Sequence, residues 1–222
     1  MIHIVYMPLE WRMNKIPVEK LGWFRKQIGS LGKRVFHWRT DKISLFSLNV
    51  FIRSLMRMYA SLNDGDYGKG LNIFCEHVEE EAKTLVFDMI NEPILFGISM
   101  DSIMSKDIED LVYIATTLFW AMIGKDYKDL WEPIEFTKED NGNYKLTMKE
   151  KMCIICAEEY EIKQEMLGPR NFGDIFAALL VGILQALEEY VGAQYKITGK
   201  ETKCVLRGDT HGEISIWLTP IE

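Results

Sequence analysis

The sequence lacks several features that would assign it to a cellular class. No apolar run reaches the roughly 18 residues that a membrane-spanning helix needs. The first residues lack the positive segment, apolar run and small-residue cleavage site of a secretory signal. Four cysteines in 222 residues are too few for a disulfide framework. We therefore expect a cytoplasmic protein with reduced thiols.

Motifs of catalysis and cofactor binding are also missing. The sequence has no Gly-x-Ser-x-Gly elbow, no phosphate-binding loop and no Gly-x-Gly-x-x-Gly turn. Its four histidines are scattered, without a recognisable nucleophile beside any of them. The formal net charge of −7 argues against a nucleic-acid partner, because such proteins are usually basic. We predict a protein that is not an enzyme, with no cofactor and no nucleic-acid partner.

The composition is that of a globular protein. Hydrophobic residues make up 48% of the chain and charged residues 27%, which is ample for a real core. The length fits one domain, or one domain with an extension. We divide the chain into a basic, aromatic N-terminal extension (1–40) and a globular domain (41–222).

The extension carries basic and aromatic residues in alternation, and Glu10 and Glu19 are its acidic residues. One interpretation is a segment that lies on an anionic membrane surface, where Trp and Lys side chains bind well. The other is a short helix over about 18–31 that packs on the core. Gly22, Gly29 and Gly32, in or directly after this range, favour the packed helix because glycine weakens an amphipathic membrane helix.

Apolar residues at three- and four-residue spacing predict four helices, over 41–61, 67–91, 105–124 and 176–190. The last helix also carries small residues on a second face, so we expect it to be central and covered on more than one side. Asp174 is its predicted N-cap and Gly192 its C-terminal stop. Glu188 and Glu189 are expected where this helix meets water.

β-Formers predict two hairpins. The first has strands at 134–137 and 144–148, and its Asn141-Gly142 turn suits two positive φ angles. The second has strands on either side of Gly208-Asp209. The predicted fold class is α+β, with helices packed on one face of a twisted antiparallel sheet made of two hairpins, in the order α-α-α-β-β-α-β-β.

Several stretches resemble the small core subunits of TRAPP, the transport protein particle that tethers vesicles. They are 45–49 (LFSLN), 70–73 (GLNI), 178–188 (ALLVGILQALE), 206–209 (LRGD) and 213–216 (EISI). The C-terminal stretch is also similar to the 4-vinyl-reductase domain, which binds small molecules. That domain has a Glu-x-x-Cys strand, matched by Glu201 and Cys204, a Gly-Asp turn, and a second Cys that falls here at Gly212 and is missing.

The TRAPP resemblance implies an apolar tunnel between helices and sheet. In the family a Cys before the third helix carries a lipid chain that enters this tunnel, and Met104 stands there in this chain. Methionine cannot be acylated, so the tunnel would hold a free ligand or be filled by side chains. The residues expected to line it are Met104, Ile108, Leu111, Phe119, Phe176, Leu180 and Ile183.

Cys153 and Cys156 have the spacing of a zinc knuckle or a redox pair. A structural zinc site needs four ligands, and Cys204 and His211 would complete it. The resemblance to the 4-vinyl-reductase domain also implies a metal role for Cys153 and Cys204. The apolar surroundings of the Cys153 pair favour buried structural thiols instead. Structural, metal and redox roles stay open at this stage.

Two functions from different classes follow. The first is a non-enzymatic scaffold similar to TRAPP core subunits, dimerising through its helices or joining related subunits, in a complex that tethers vesicles or regulates a small GTPase. The second is a sensor of the 4-vinyl-reductase type that holds a fatty acid or aromatic ligand. A third interpretation, a true reductase, has only the name of that domain in its favour. Peripheral contact of the extension 1–40 with a membrane is compatible with each of these functions.

Overall fold

The structure is a computed structural model that describes residues 20, 22, 23, 26, 27, 45–91, 93–95, 98–100, 104–123, 131–151, 162–192 and 194–221. Most of the predicted extension and the pair Cys153 and Cys156 lie outside these residues. The elements are α1 (Leu45–Ser61), α2 (Tyr67–Asn91), β1 (Pro93–Leu95), β2 (Ile98–Ser99), α3 (Ile108–Ile123), β3 (Glu135–Lys138), β4 (Tyr144–Glu150), α4 (Asp174–Val191), β5 (Tyr195–Lys203) and β6 (Gly212–Pro220). Short 3-10 turns lie at Gln164–Leu167 and Val205–Arg207.

The two predicted hairpins join edge to edge into one four-stranded antiparallel sheet, in the order β3-β4-β6-β5. Side chains alternate between its faces, and those on the inner face are fully buried on β4 and β6. They include Leu146, Met148, Ile214, Ile216 and Leu218. The helices cover this inner face. The α+β prediction and the predicted order of elements are confirmed, with one small addition, the β1–β2 hairpin between α2 and α3.

Helix α4 occupies the centre of the molecule, as its two faces predict. It packs against α2, α3, β5 and β6. Gly182 shows how closely α2 approaches: a Cβ at this position would overlap the carbonyl oxygen of Glu79 and lie 2.9 Å from the Cβ of Ala82. A side chain here would therefore separate the two helix backbones. The bounds of α4 exceed the predicted 176–190 by only a few residues.

The start of α4 differs from the sequence prediction, whereas its end does not. Asp174 is the first helical residue and not the N-cap, which is Gly173 without a side-chain cap bond. The Asp174 carboxylate instead accepts hydrogen bonds from the backbone N–H groups of Glu201 and Asn171, at 2.7 and 3.2 Å. Gly192 ends the helix at φ 102°, as predicted.

Glu188 does not meet water; its residue is 2% exposed. The chain after Gly192 folds back, so one Glu188 oxygen accepts hydrogen bonds from the backbone N–H groups of Gln194 (2.7 Å) and Tyr195 (3.1 Å). Burial raises the pKa of this carboxyl, and the two backbone N–H donors oppose that rise. Only Glu189 of the predicted pair is exposed, and it forms an ion pair with Lys83 of α2.

The first hairpin also has a different turn from the predicted one. Gly142 has a positive φ of 85°, but Asn141 is not among the positive-φ residues. The Asn141 side-chain oxygen accepts a hydrogen bond from the Asn143 backbone N–H at 2.9 Å. Asn141 therefore acts through its side chain, which is the second way in which this residue type makes turns.

The described residues of the predicted extension contact the N-terminus of α3. Asp107 precedes the helix, and its carboxylate accepts a hydrogen bond from the Glu109 backbone N–H at 3.0 Å, so α3 begins after the predicted Ser105. Lys20 pairs with Glu109 at 2.7 Å and Lys26 with Asp110 at 3.1 Å. Both lysines therefore bind the first turn of α3, while Trp23 is 75% exposed.

Candidate functional site

The seven residues predicted to line an apolar tunnel all lie in the one hydrophobic core of the described chain, between α3, α4 and the sheet. Each is at most 8% exposed. They are Met104, Ile108, Leu111, Phe119, Phe176, Leu180 and Ile183. The sequence thus placed these side chains in the interior, and their role as a tunnel lining stays a prediction.

An aromatic trio forms the centre of this interior. The Phe119, Trp131 and Phe176 rings meet edge to face, with centroids 5.9 to 6.5 Å apart. Trp131 is 1% exposed, and its indole N–H finds no acceptor among the described residues. The sequence pattern predicts only that Trp131 precedes a strand, and does not predict that it is buried. A Trp directly before an apolar strand was the available signal for a core position.

A polar cluster lies beside the apolar interior, at the N-terminus of α4. One Glu201 oxygen accepts a hydrogen bond from the Gly173 backbone N–H at 2.9 Å. The Asp174 carboxylate reaches back to the Glu201 backbone N–H, so strand β5 and helix α4 hold each other through reciprocal bonds. Asn171 adds a third bond, from its amide to the Glu201 carbonyl at 3.3 Å. Helix start and strand are therefore fixed relative to one another.

Arg207, in the stretch 206–209 that carried the family resemblance, has a structural role at this cluster. Its guanidinium donates to the Asn171 side-chain oxygen at 2.5 Å and to the carbonyl oxygens of Gly168 and Arg170 at 2.9 and 3.1 Å. The adjacent Asp209 accepts a hydrogen bond from the Cys204 backbone N–H at 2.8 Å. Asp209 is thus a turn residue, as its type suggests.

Two buried glutamates are the most perturbed groups of the cluster. Glu150 ends β4 and Glu201 lies on β5, both on the inner face of the sheet and each 3% exposed. Burial, followed by the charge of Glu201, raises the pKa of Glu150 to about 8. Burial also raises the pKa of Glu201 to about 7, against the Gly173 N–H that lowers it. Among the described residues Glu150 Oε2 finds no hydrogen-bond partner, whereas the Glu201 carboxyl is also hydrogen-bonded to the Cys204 thiol.

Cys204 and His211 are the two members of the predicted metal-binding set that the structure describes. Burial, with the charge of Glu201, raises the pKa of the Cys204 thiol to about 11, so the thiol stays protonated and unreactive. His211 engages Thr210 Oγ1 at 2.9 Å and lies 3.6 Å from Glu213. Among the described residues, no group of three His, Cys, Asp or Glu side chains could hold a metal ion. The Cys153, Cys156, Cys204 and His211 set stays a prediction, because half of it lies outside those residues.

The surface near this cluster has an open cleft of about 540 Å³ between the start of α2 and the 165–170 loop. Its lining includes the polar residues Asn72, Lys69 and Arg170, and none of the seven predicted tunnel residues. The Arg170 guanidinium is already held by the Asn72 side-chain oxygen. The cleft is therefore separate from the apolar interior.

No helix within the described ranges is both long enough and apolar enough to cross a membrane. No family model matches the chain. No curated protein matches it either. Among solved structures, the chain is similar to a trafficking protein particle complex subunit 3 from Naegleria fowleri, crystallised covalently bound to palmitic acid. The two share 18% sequence identity with a TM-score of 0.43, over 76% of this chain and 96% of that one.

Proposed function

We propose that this protein is a non-enzymatic scaffold of the TRAPP small-subunit type, which associates through its helices with a second copy or with related subunits. The observation that carries the proposal is an apolar stripe on the outside of α1 and of Leu62, the residue that follows it. Val50, Phe51, Met58 and Leu62 are 48, 58, 47 and 74% exposed. Exposed apolar stripes of this kind mark interaction surfaces.

The stripe has the geometry of a helix-packing face. Phe51 and Met58 are seven residues apart, which places them on the same side of the helix two turns apart. The opposite side of α1 already packs on α2 through buried residues such as Ile52 and Met56. Helix α1 is thus apolar on two sides, one used within the chain and one facing outwards. A symmetric dimer would place the same stripe of two copies together.

Replacing Phe51 and Met58 together by Glu should convert a dimer into a monomer, because two carboxylates would be buried in the contact without partners. Multi-angle light scattering of the purified protein measures the mass directly. The matched control replaces Val205 and Leu206 by Glu, two residues that are 46 and 39% exposed on a turn away from α1. A wild-type protein that is monomeric and captures no related subunit would remove the support for the scaffold.

For the assembled complex we propose a wider role in tethering or in GTPase regulation. The complex would act in the cytoplasm as a peripheral membrane assembly. The exposed Trp23 and the basic residues of 1–40 support membrane contact by the extension. Pull-down of small GTPases by the complex, compared with the isolated chain, separates an activity of the assembly from one of the subunit.

Binding of a fatty acid or aromatic ligand in the apolar interior is a second candidate function. Within the described residues the buried Trp131 N–H and Glu150 Oε2 have no hydrogen-bond partners, although buried polar atoms nearly always have them. A ligand with an apolar body and one polar end would satisfy atoms of this kind where core and polar cluster meet. The seven predicted residues supply the apolar surface.

Native mass spectrometry of freshly purified protein should show an additional mass of a lipid or aromatic molecule if this candidate is correct. Added fatty acid should then raise the melting temperature of delipidated protein, because a ligand that binds only the folded state stabilises it. An unliganded mass together with an unchanged melting temperature would exclude this function and leave the scaffold proposal intact.

A further inference from the structure

The face of the sheet that points away from the helices is basic, although the whole protein carries a net charge of −7. Strand pairing places alternate residues of β3 to β6 on this outer sheet face. Its charged members are five lysines and two glutamates: Lys145, Lys149, Lys196, Lys200, Lys203, Glu135 and Glu213. The outer sheet face is therefore a positive region on an acidic molecule.

Two of the lysines are neutralised in place. Lys149 pairs with Glu135 and Lys203 with Glu213, each at 2.9 Å. Within the part of the chain that the structure describes, no carboxylate pairs with Lys145, Lys196 or Lys200. The uncompensated positive charge is thus concentrated around the middle of β6, where it attracts anions most strongly.

Trp217 organises this centre. The Lys145 and Lys200 ammonium nitrogens lie 5.7 and 5.9 Å from the centroid of its ring, within the range of a cation–π interaction. Lys145 lies on β4 and Lys200 on β5, so the two approach Trp217 of β6 from opposite sides. The ring holds both long side chains in place, which lowers the entropy that a ligand must remove to bind them.

The arrangement fits an acidic peptide better than a membrane. Trp217 is the one large apolar side chain among these outward positions, and it lies beneath two ammonium groups instead of projecting for insertion. A membrane surface would use many basic residues spread over a wide area, whereas the uncompensated lysines here flank one strand. Thr198 and Thr219, exposed beside them, offer hydroxyl groups to a peptide backbone.

We propose that the outer sheet face docks an acidic peptide segment of a partner protein, laid along β6 with carboxylates at Lys145 and Lys200. This proposal extends the scaffold function. It rests on that function only for the assumption that the acidic partner belongs to the same complex. The surface is distinct from the α1 stripe, since the helices cover the opposite face of the sheet. One subunit thereby presents one surface to a second copy and another to an acidic partner.

A fluorescein-labelled poly-glutamate peptide tests the proposal by fluorescence anisotropy with the full-length protein. We expect saturable binding that weakens as salt rises. Replacing Lys145 and Lys200 together by Glu should weaken it about tenfold or more, since two attractions become repulsions. The matched control replaces Lys69 and Lys163 by Glu, which changes the net charge equally at two exposed lysines elsewhere and should leave binding unchanged.

Equal binding by the wild type and the Lys145/Lys200 variant would overturn the proposal, as would no binding by the wild type. Cosedimentation with phosphatidylserine vesicles, lost in that variant while the peptide never binds, would also overturn it in favour of a membrane. Should the Glu variant fail to fold by circular dichroism, the Lys145→Gln and Lys200→Gln pair replaces it, with the same expected direction. Light scattering of the same variants separates failure of this surface from failure of the α1 dimer.

Discussion

Raising the pH from about 5 to about 9 should lower the free energy of unfolding by roughly 4 kcal/mol through the buried pair Glu150 and Glu201. The pKa of Glu150 in the folded state, about 8, lies above the ordinary glutamate value of 4.5. The folded state therefore holds a proton that the unfolded state releases. The stability from this proton is fully present below the unfolded pKa and is lost as the pH rises through the folded pKa. Glu201, with a folded pKa of about 7, acts in the same direction.

Burial and the neighbouring Glu201 both favour the neutral form of Glu150, so the loss of stability at high pH is not offset by a positive charge among the causes of its pKa shift. Glu201 on β5 faces it and raises its pKa, and Asp174 of α4 raises the pKa of Glu201 in turn. The positive charge of Arg207 lowers the pKa of Glu201, but by less than burial raises it. A buried carboxyl with acidic neighbours is held in its neutral form.

Urea unfolding followed by tryptophan fluorescence at a series of pH values measures the effect. Glu150→Gln keeps the shape of the side chain without a titrating proton, so its unfolding free energy should fall much less and exceed that of the wild type above about pH 8. Glu80→Gln, at an exposed position of α2, should keep the steep wild-type profile. Parallel profiles for the wild type and Glu150→Gln would show that Glu150 is ionised or solvated in the folded state.

The fold was predictable because its helices and strands have clear periods. Apolar spacing along α4 gave both its existence and its central position, and the inward apolar residues of β4 and β6 gave the sheet. The joining of the two hairpins through β4 and β6, which makes one sheet, depends on tertiary pairing. The β1–β2 hairpin is too short for any period to reveal it.

The burial of several acidic residues was missed because sequence reasoning assigns charged residues to the surface. Glu188 is buried since the chain after α4 folds back over it, and no local pattern contains that information. Glu150 did carry a signal. It follows Leu146 and Met148 at two-residue spacing, and therefore continues the inward face of β4 beyond the apolar run. Glu201 stands in the same relation to Ile197 and Gly199 on β5.

Gly182→Ala should destabilise the protein by roughly 2–3 kcal/mol, because the added methyl group would force α2 and α4 apart. Helix propensity alone predicts the opposite sign, a gain of about 1 kcal/mol when Ala replaces Gly inside a helix. The close approach should win, since the new Cβ meets the backbone carbonyl of Glu79, which cannot rotate away as the end of a side chain can.

Chemical denaturation of Gly182→Ala beside the wild type decides between the two signs. Thr84→Ala, at an exposed position of α2, is the control for a helix substitution without close packing and should change stability by less than about 0.5 kcal/mol. A stabilised Gly182→Ala protein would mean that α2 and α4 lie further apart than the structure places them. A larger loss for Gly182→Leu than for Gly182→Ala would follow from the same contact, because each added carbon enlarges the overlap.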